Sequence, residues 1–171
     1  MRIAFTFAGI LGEIIKAFTG GDVNHAMLVY EDPTFGLTMT LGANANGLTL
    51  VPLTHVRDME IKHIYRPRDG QPSLIAGVRA LSHLIDTPYD YAGLLGMSIV
   101  EAERRWFKHA INNPLLDKHK LFCSEYAKMV AWHSGYFILP NVEPGACDPA
   151  QLSAALAKFP QFEEVAIPTI S

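Results

Sequence analysis

The sequence predicts an α+β protein in which an antiparallel sheet packs against helices. Three observations predict it. Strand-like alternation is crowded into the stretch before Pro67, helical spacing takes over after Pro72, and the turns between the strands are too short for parallel crossovers.

The first strand is read from Ile3, Phe5 and Phe7 alternating with Ala4 and Thr6. Its apolar character raises the question of a signal peptide, but Glu13 and Lys16 come early and no small-residue cleavage site follows. Residues 12–18 read as a short helix, and Thr19-Gly20-Gly21-Asp22 as a turn. Residues 23–30 form the next strand, with Val23, His25, Met27 and Val29 on one face and Asn24, Ala26, Leu28 and Tyr30 on the other. Glu31-Asp32-Pro33 turns the chain, and residues 37–41, 48–51 and 59–65 follow as strands; the first two are joined by a Gly- and Asn-rich turn from Gly42 to Gly47. Four adjacent strands with short turns predict a meander.

Beyond Pro72 the period changes. Ser73 is the expected N-cap of a helix with an apolar stripe at Leu74, Ile75, Val78, Leu81 and Ile85. Pro88-Tyr89-Asp90-Tyr91 interrupts it before a second helical run over 92–109, whose charged end reads as a solvated face. After the loop at Asn112-Asn113-Pro114 comes a helix with Cys123 in its first turn, Ala127, Val130 and Ala131 recurring as its apolar side with Tyr126, Met129 and His133 beside them, and Gly135 as its stop. Asp148-Pro149-Ala150-Gln151 is the start of a last helix, with Asp as N-cap, Pro at the first helical position and Gln placed for a capping box. Residues 162–167 are expected as a final short strand.

The chain has 171 residues, 49% of them hydrophobic and 18% charged, which predicts one domain over residues 1–171. A net charge of −3 supplies no footprint for nucleic acid or an anionic membrane. The longest apolar run, residues 91–100, ends at Glu101, short of a membrane span, so no stable membrane insertion is expected. Two cysteines, Cys123 and Cys147, are too few for a disulfide framework and lack zinc-site spacing. A reducing, cytoplasmic setting is expected. The seven histidines show no His-Glu-x-x-His arrangement, so no metal and no other cofactor is expected.

Chemistry concentrates in Leu121-Phe122-Cys123-Ser124-Glu125-Tyr126. Free cysteine usually behaves as a small buried hydrophobe. Here the unpaired N–H groups and dipole of a helix N-terminus favour the thiolate, and Ser124 and Glu125 are polar neighbours. A histidine in an apolar strand row is ordinarily a core residue, and His25 gains interest only through Cys123. An imidazole within reach of a thiol can take its proton and return it to a leaving group, the logic of Cys/His acyl transfer. A third residue that orients the imidazole is sought on the neighbouring strand and its turn, among Thr40, Asn44 and Asn46, with Asn44 first and Thr40 second. Glu125 has a structural alternative, a cap or an i,i+3 pair with Lys128.

Thr19 and Asn24-His25-Ala26, then Gly47-Leu48-Thr49-Leu50-Val51-Pro52-Leu53, Tyr89-Asp90-Tyr91-Ala92-Gly93-Leu94-Leu95, Phe122-Cys123-Ser124-Glu125 and Asp148-Pro149 occur in an order that resembles the circularly permuted NlpC-type papain-like cysteine hydrolases, in their YiiX-like branch. The resemblance runs over residues 1–155. It implies a permuted papain-like fold in which the base precedes the nucleophile: Cys123 as nucleophile, His25 as base, and Tyr89 as an oxyanion-side donor beside the Cys123 N–H. Ser124 and Glu125 belong to the same candidate oxyanion and substrate-binding group. Members often carry an acidic residue near the position of Gly42, so Asn44 or Thr40 takes the third place here or activity is weakened.

The expected function is a cysteine peptidase or amidase that forms an acyl-enzyme on a peptide, an isopeptide or an acylated small molecule. An acyltransferase or lipid esterase on the same fold, and a catalytically inactive binding module, are the alternatives. Retained cysteine reactivity separates the last from the others, and the identity of the acyl acceptor separates hydrolase from transferase.

Overall fold

Ile3, Ala4, Phe5 and Thr6 are all fully buried, so strand β1 (Arg2–Phe7) must be covered on both faces and paired along both edges. The computed structural model of the chain, which describes residues 1–7, 21–44, 46–56, 58–90, 92 and 120–167, satisfies both needs. β2 (His25–Asp32), β3 (Leu37–Asn44) and β4 (Gly47–Pro52) continue the sheet on one side of β1, and β5 (Glu60–Pro67) and β6 (Phe162–Glu164) on the other. The order is β4-β3-β2-β1-β5-β6, antiparallel throughout. Three helices are described: α1 (Ile75–Ala80), α2 (Cys123–His133) and α3 (Pro149–Lys158).

The expected meander of four strands therefore holds only from β2 to β4. The strand expected over 59–65 does not join β4; it crosses the sheet to pair with β1, with a register shift between Phe5 and Thr6. The unmet edge of β1 requires a partner, and the 3-10 turn Leu53–Val56 turns the chain out of β4 on the way there. The helices expected over 12–18 and 92–109, and the loop at residues 112–114, lie outside the described residues apart from Ala92.

The two sheet faces bury different sets. Phe5, Ala26, Leu28, Leu41 and Ala43 pack with Tyr126, Ala127, Val130 and Ala131 of α2. Ala4, Met27, Val29, Leu53, Ile61 and Ile64 form a second cluster on the opposite face. Val23 lies with the first cluster although it shares parity with Met27, because it precedes β2 and escapes the pleat. The strand thus begins at His25, two residues later than its pattern suggests.

α1 is shorter than its stripe, ending at Ala80 before a 3-10 turn at Ser82–Leu84. Ser73 caps it from one position further out than expected, its hydroxyl accepting the Ile75 N–H at 3.3 Å. In α3, Asp148 is the N-cap, accepting the Gln151 N–H at 2.7 Å. The reciprocal half of the expected capping box is absent, since the buried Gln151 Oε1 has no partner. The final strand stops at Glu164 rather than 167.

Lys128 is completely buried, and its ammonium donates to the Leu139 carbonyl at 3.0 Å and to the Val142 carbonyl, 4.8 Å from the centre of the Trp132 ring. Trp132 Nε1 donates to the Ile138 carbonyl at 2.8 Å. These bonds clasp the loop after α2 to the helix, so Lys128 is committed to carbonyls and forms no pair with Glu125.

At the β6 edge, His63 is bracketed by two carboxylates, Nδ1 to Glu164 at 2.8 Å and Nε2 to Asp22 at 3.1 Å. The Glu164 bond is the main cause of its raised pKa, opposed by partial burial and reinforced by Asp22. A histidine raised in the folded state adds stability fully present below the unfolded 6.5, lost as pH rises through the folded value. Substituting His63→Gln is therefore expected to lower the melting temperature at pH 5.5 more than at pH 8.5. An equal drop at both would remove this assignment.

Candidate active site

A thiol at the first residue of α2 is placed there by sequence-local means. Phe122 is the extended N-cap residue, and its N–H donates to the Glu125 carboxylate at 3.4 Å. A phenylalanine has no side-chain acceptor to return the bond, so the helix start is held by half a capping box. Glu125 is thus turned inward, buried to 8% exposure and spent on the cap, rather than facing a substrate. Ser124 is likewise spent: its hydroxyl donates to the Cys147 carbonyl at 2.6 Å, and it is fully buried.

Donors converge on the sulfur of Cys123. The Ala26 and Ser124 N–H groups and the Tyr89 hydroxyl all hydrogen-bond it. These bonds favour the thiolate, yet burial outweighs them and the Cys123 pKa is raised above its ordinary value. The expectation of a thiolate stabilised by the helix terminus is corrected on this point: at 1% exposure, desolvation of the anion exceeds what these three donors and the N–H of Cys123 itself return.

Tyr89 reaches the sulfur because its segment is stitched to the one before α2. Tyr89 and Leu121 form a parallel bridge, with Leu121 N–H donating to the Pro88 carbonyl at 3.1 Å and Asp90 N–H to the Leu121 carbonyl at 2.9 Å. Asp90 is fully buried at this seam.

His25 opens β2, one residue before the Ala26 N–H that bonds the sulfur, with Cα atoms about 3.8 Å apart. It pairs with Thr6, which the pleat places on the face of Ala4 and Met27, while Ala26 faces α2. No hydrogen bond joins the imidazole to the thiol among the described residues. Burial lowers the His25 pKa to about 4, so the ring is neutral through the physiological range.

Of the three residues considered for orienting the imidazole, the structure separates the first choice, Asn44, from the second, Thr40. The β2–β3 ladder runs from Asp32 opposite Leu37 to Leu28 opposite Leu41, and the same register continued three residues would set Asn44 across from His25. Thr40 is opposite Val29, about 13 Å further along the strand, and its hydroxyl goes to the Val51 carbonyl at 3.4 Å. Thr40 is out of reach of His25. Asn44 is at the right position but engaged, its Nδ2 donating to Thr49 Oγ1 at 2.7 Å and its Oδ1 accepting the Asn46 N–H at 2.9 Å.

Two groups at the site escape the sequence reading. The Ala26 N–H had a signal, since only a small side chain beside the histidine lets the backbone approach a sulfur. Asp90 had none, because its burial depends on a bridge between segments far apart in the chain.

No family model matches the chain, and no curated protein matches it. Among solved structures, it is similar to the crystal structure of metalloprotein YiiX from Escherichia coli O157:H7, DUF1105, with a TM-score of 0.57 and 14% identity over 96% of this chain and 94% of that one. The chain therefore has a YiiX-like α+β fold. Among the described residues no three His, Cys, Asp or Glu side chains gather to hold a metal ion. The nearest approach, His63 with Asp22 and Glu164, has its carboxylates on opposite ring nitrogens and offers no common centre. No helix among the described residues is long and apolar enough to cross a membrane.

Proposed function

We propose that this protein is a cysteine hydrolase of the permuted papain-like, NlpC type, cleaving an amide in a peptide, isopeptide or acylated small molecule through an acyl-enzyme on Cys123. The observation that carries this reading is the convergence of the Ala26 N–H, the Ser124 N–H and the Tyr89 hydroxyl on a sulfur at a helix N-terminus. A merely structural cysteine has no need of three donors.

The resting pair is neutral, a thiol and an imidazole, rather than a preformed ion pair. His25 acts as a general base during attack: it takes the thiol proton as the sulfur adds to the carbonyl carbon, forming the C–S bond and an oxyanion. Tyr89 and the N–H groups then pass from the sulfur to that oxygen, where charge has developed. The intermediate collapses, the C–N bond breaks, and the amine leaves with the proton held by His25. Water, deprotonated by His25, cleaves the thioester, releases the acid and restores the thiol. The step requires the His25 ring, which stands at the start of its strand on the face away from α2, to come round the sheet end to the sulfur.

The test is the iodoacetamide alkylation rate of Cys123 from pH 5 to 9, in a Cys147→Ser background with and without His25→Ala, alongside turnover of a peptide and isopeptide panel. The expected result is a thiol reacting mainly above its ordinary pKa, with His25→Ala and Cys123→Ala each lowering turnover by about 10²-fold or more. Turnover indifferent to both substitutions would refute the assignment.

A further inference from the structure

His63 has no part in the mechanism above, yet it fastens the chain that leads into His25. Phe5 of β1 is opposite Ala26 of β2 on one side and His63 of β5 on the other, so all three side chains share the sheet face that meets α2. Asp22, three residues before His25, nevertheless reaches His63 Nε2 at 3.1 Å, while Glu164 of β6 holds Nδ1 at 2.8 Å. On the way, the Asn24 N–H donates at 3.0 Å to the carbonyl of Thr6, the last residue but one of β1. The segment entering β2 therefore crosses the end of β1, and His63 ties it to the strand beyond. His25 must pass this same end of the sheet to reach the sulfur.

We infer that Asp22, His63 and Glu164 form a proton-operated latch on the entrance to β2: an imidazolium bridging both carboxylates keeps His25 on its resting face, and a neutral ring releases Asp22 and frees the passage to Cys123. The latch names the regulation of the proposed hydrolase and rests on that reading for its effect on turnover. As a contact it belongs to the fold.

The number of ring protons decides which state is closed. A neutral imidazole has one N–H and one lone pair, so it donates to one carboxylate and turns its lone pair on the other. Bonds of 2.8 and 3.1 Å to two carboxylates therefore need the doubly protonated ring. On deprotonation Asp22 is the partner that leaves. Its bond is the longer, its side chain is the more exposed at 67% against 53%, and it stands in a bend, whereas Glu164 is fixed in register opposite Tyr65. The Glu164 bond first, against partial burial, and then Asp22 raise the His63 pKa, which places the opening above 6.5. The other charged groups described around the ring are engaged elsewhere: Lys62 with Glu60 at 2.6 Å, and Arg66 and Arg68 with Glu163 at 2.7 and 3.3 Å. Tyr65, stacked on the ring, is kept neutral by burial and bonds Ser153 of α3, and β1 presents only Phe5. Neither reacting group supplies a transition in this range, since His25 is neutral above about 4 and burial holds Cys123 as a thiol.

The experiment measures hydrogen exchange at the Asn24 amide, corrected for intrinsic base catalysis, and turnover of the peptide panel from pH 5.5 to 8.5 in the parent, Asp22→Asn and Asp22→Ala. The parent is expected to lose about fivefold in Asn24 protection, and to gain turnover in step, as pH rises above 6.5. An asparagine amide donates to the neutral ring and accepts from the charged one, so Asp22→Asn keeps protection high and turnover low at every pH. Asp22→Ala shows low protection and high turnover throughout. Nitrogen NMR of the His63 ring is expected to show two protonated nitrogens below the transition and one above it. Flat exchange in the parent, the same fall in parent and Asp22→Asn, or a ring that stays neutral throughout overturns the latch. Exchange that follows the pattern without any response in turnover overturns the gate on His25 and leaves the hydrolase standing. Exchange that follows the pattern while no substrate turns over, and while His25→Ala leaves Cys123 alkylation unchanged, defeats the hydrolase reading and supports the latch.

Discussion

Gly77→Ala is expected to destabilise the protein by about 3 kcal/mol and lower its melting temperature by about 6–12 °C. Gly77 is where α1 meets α2 backbone to backbone. A Cβ placed there would lie 2.1 Å from the Val130 carbonyl oxygen and 2.7 Å from Ser134 Oγ. The carbonyl cannot turn away, because it accepts the Ser134 N–H at 3.0 Å within the end of α2. The helices must separate, and separation also strains the Gly77 N–H bond to Ser134 Oγ at 3.0 Å and the Ser134 hydroxyl bond to the Leu74 carbonyl at 3.2 Å. Overpacking costs about 1–3 kcal/mol or more and each compromised bond about 1 kcal/mol, against a helix-propensity gain of about 1 kcal/mol for alanine. The clash wins. Thermal unfolding followed by circular dichroism checks this, and an unchanged or higher melting temperature would show that the helices have room to yield.

The second large effect is a loss of stability with rising pH that originates at Glu125. Its folded pKa is about 7 against an ordinary 4.5, chiefly through burial, with the Asp90 charge adding to the rise and the Phe122 N–H opposing it. The folded state therefore binds more protons than the unfolded one between those values. Stability from this group is fully present below 4.5 and falls as pH rises through about 7, by up to about 3 kcal/mol in total. Glu125→Gln removes the ionisable group and is expected to flatten that part of the profile, leaving the variant more stable than the parent at pH 8 and close to it at pH 4.5. Urea unfolding at fixed pH values measures this directly. Parallel profiles for the two proteins would mean that Glu125 titrates as an ordinary surface carboxylate.

Both effects depend on contacts that local pattern hides. Gly77 reads as an ordinary weak point in a helix, and its necessity follows only from Val130, more than 50 positions later in the chain. Glu125 reads equally well as a cap, an ion-pair partner or a substrate contact. The structure selects the cap, because Lys128 is drawn to the carbonyls of the loop that closes over it. The Asp148 N-cap, by contrast, was legible from Asp-Pro followed by Gln, since both ends of that bond lie within one turn.

The same division runs through the candidate site. Alternation along β1 to β5 and the 3.6-residue spacing of α2 are imposed by backbone sterics between near neighbours, so the α+β class and the place of Cys123 at a helix start could be read from order alone. Strand order, the side of the sheet on which His25 stands, the choice between Asn44 and Thr40, and the sign of the Cys123 pKa could not. Each is a sum over groups distant in sequence: Thr6 sets the register of His25, Tyr89 and Ala26 meet the thiol, and solvent exclusion by the whole core overrides the local pull of a helix N-terminus. Local geometry writes the elements into the chain, whereas register and desolvation exist only once the chain has closed on itself.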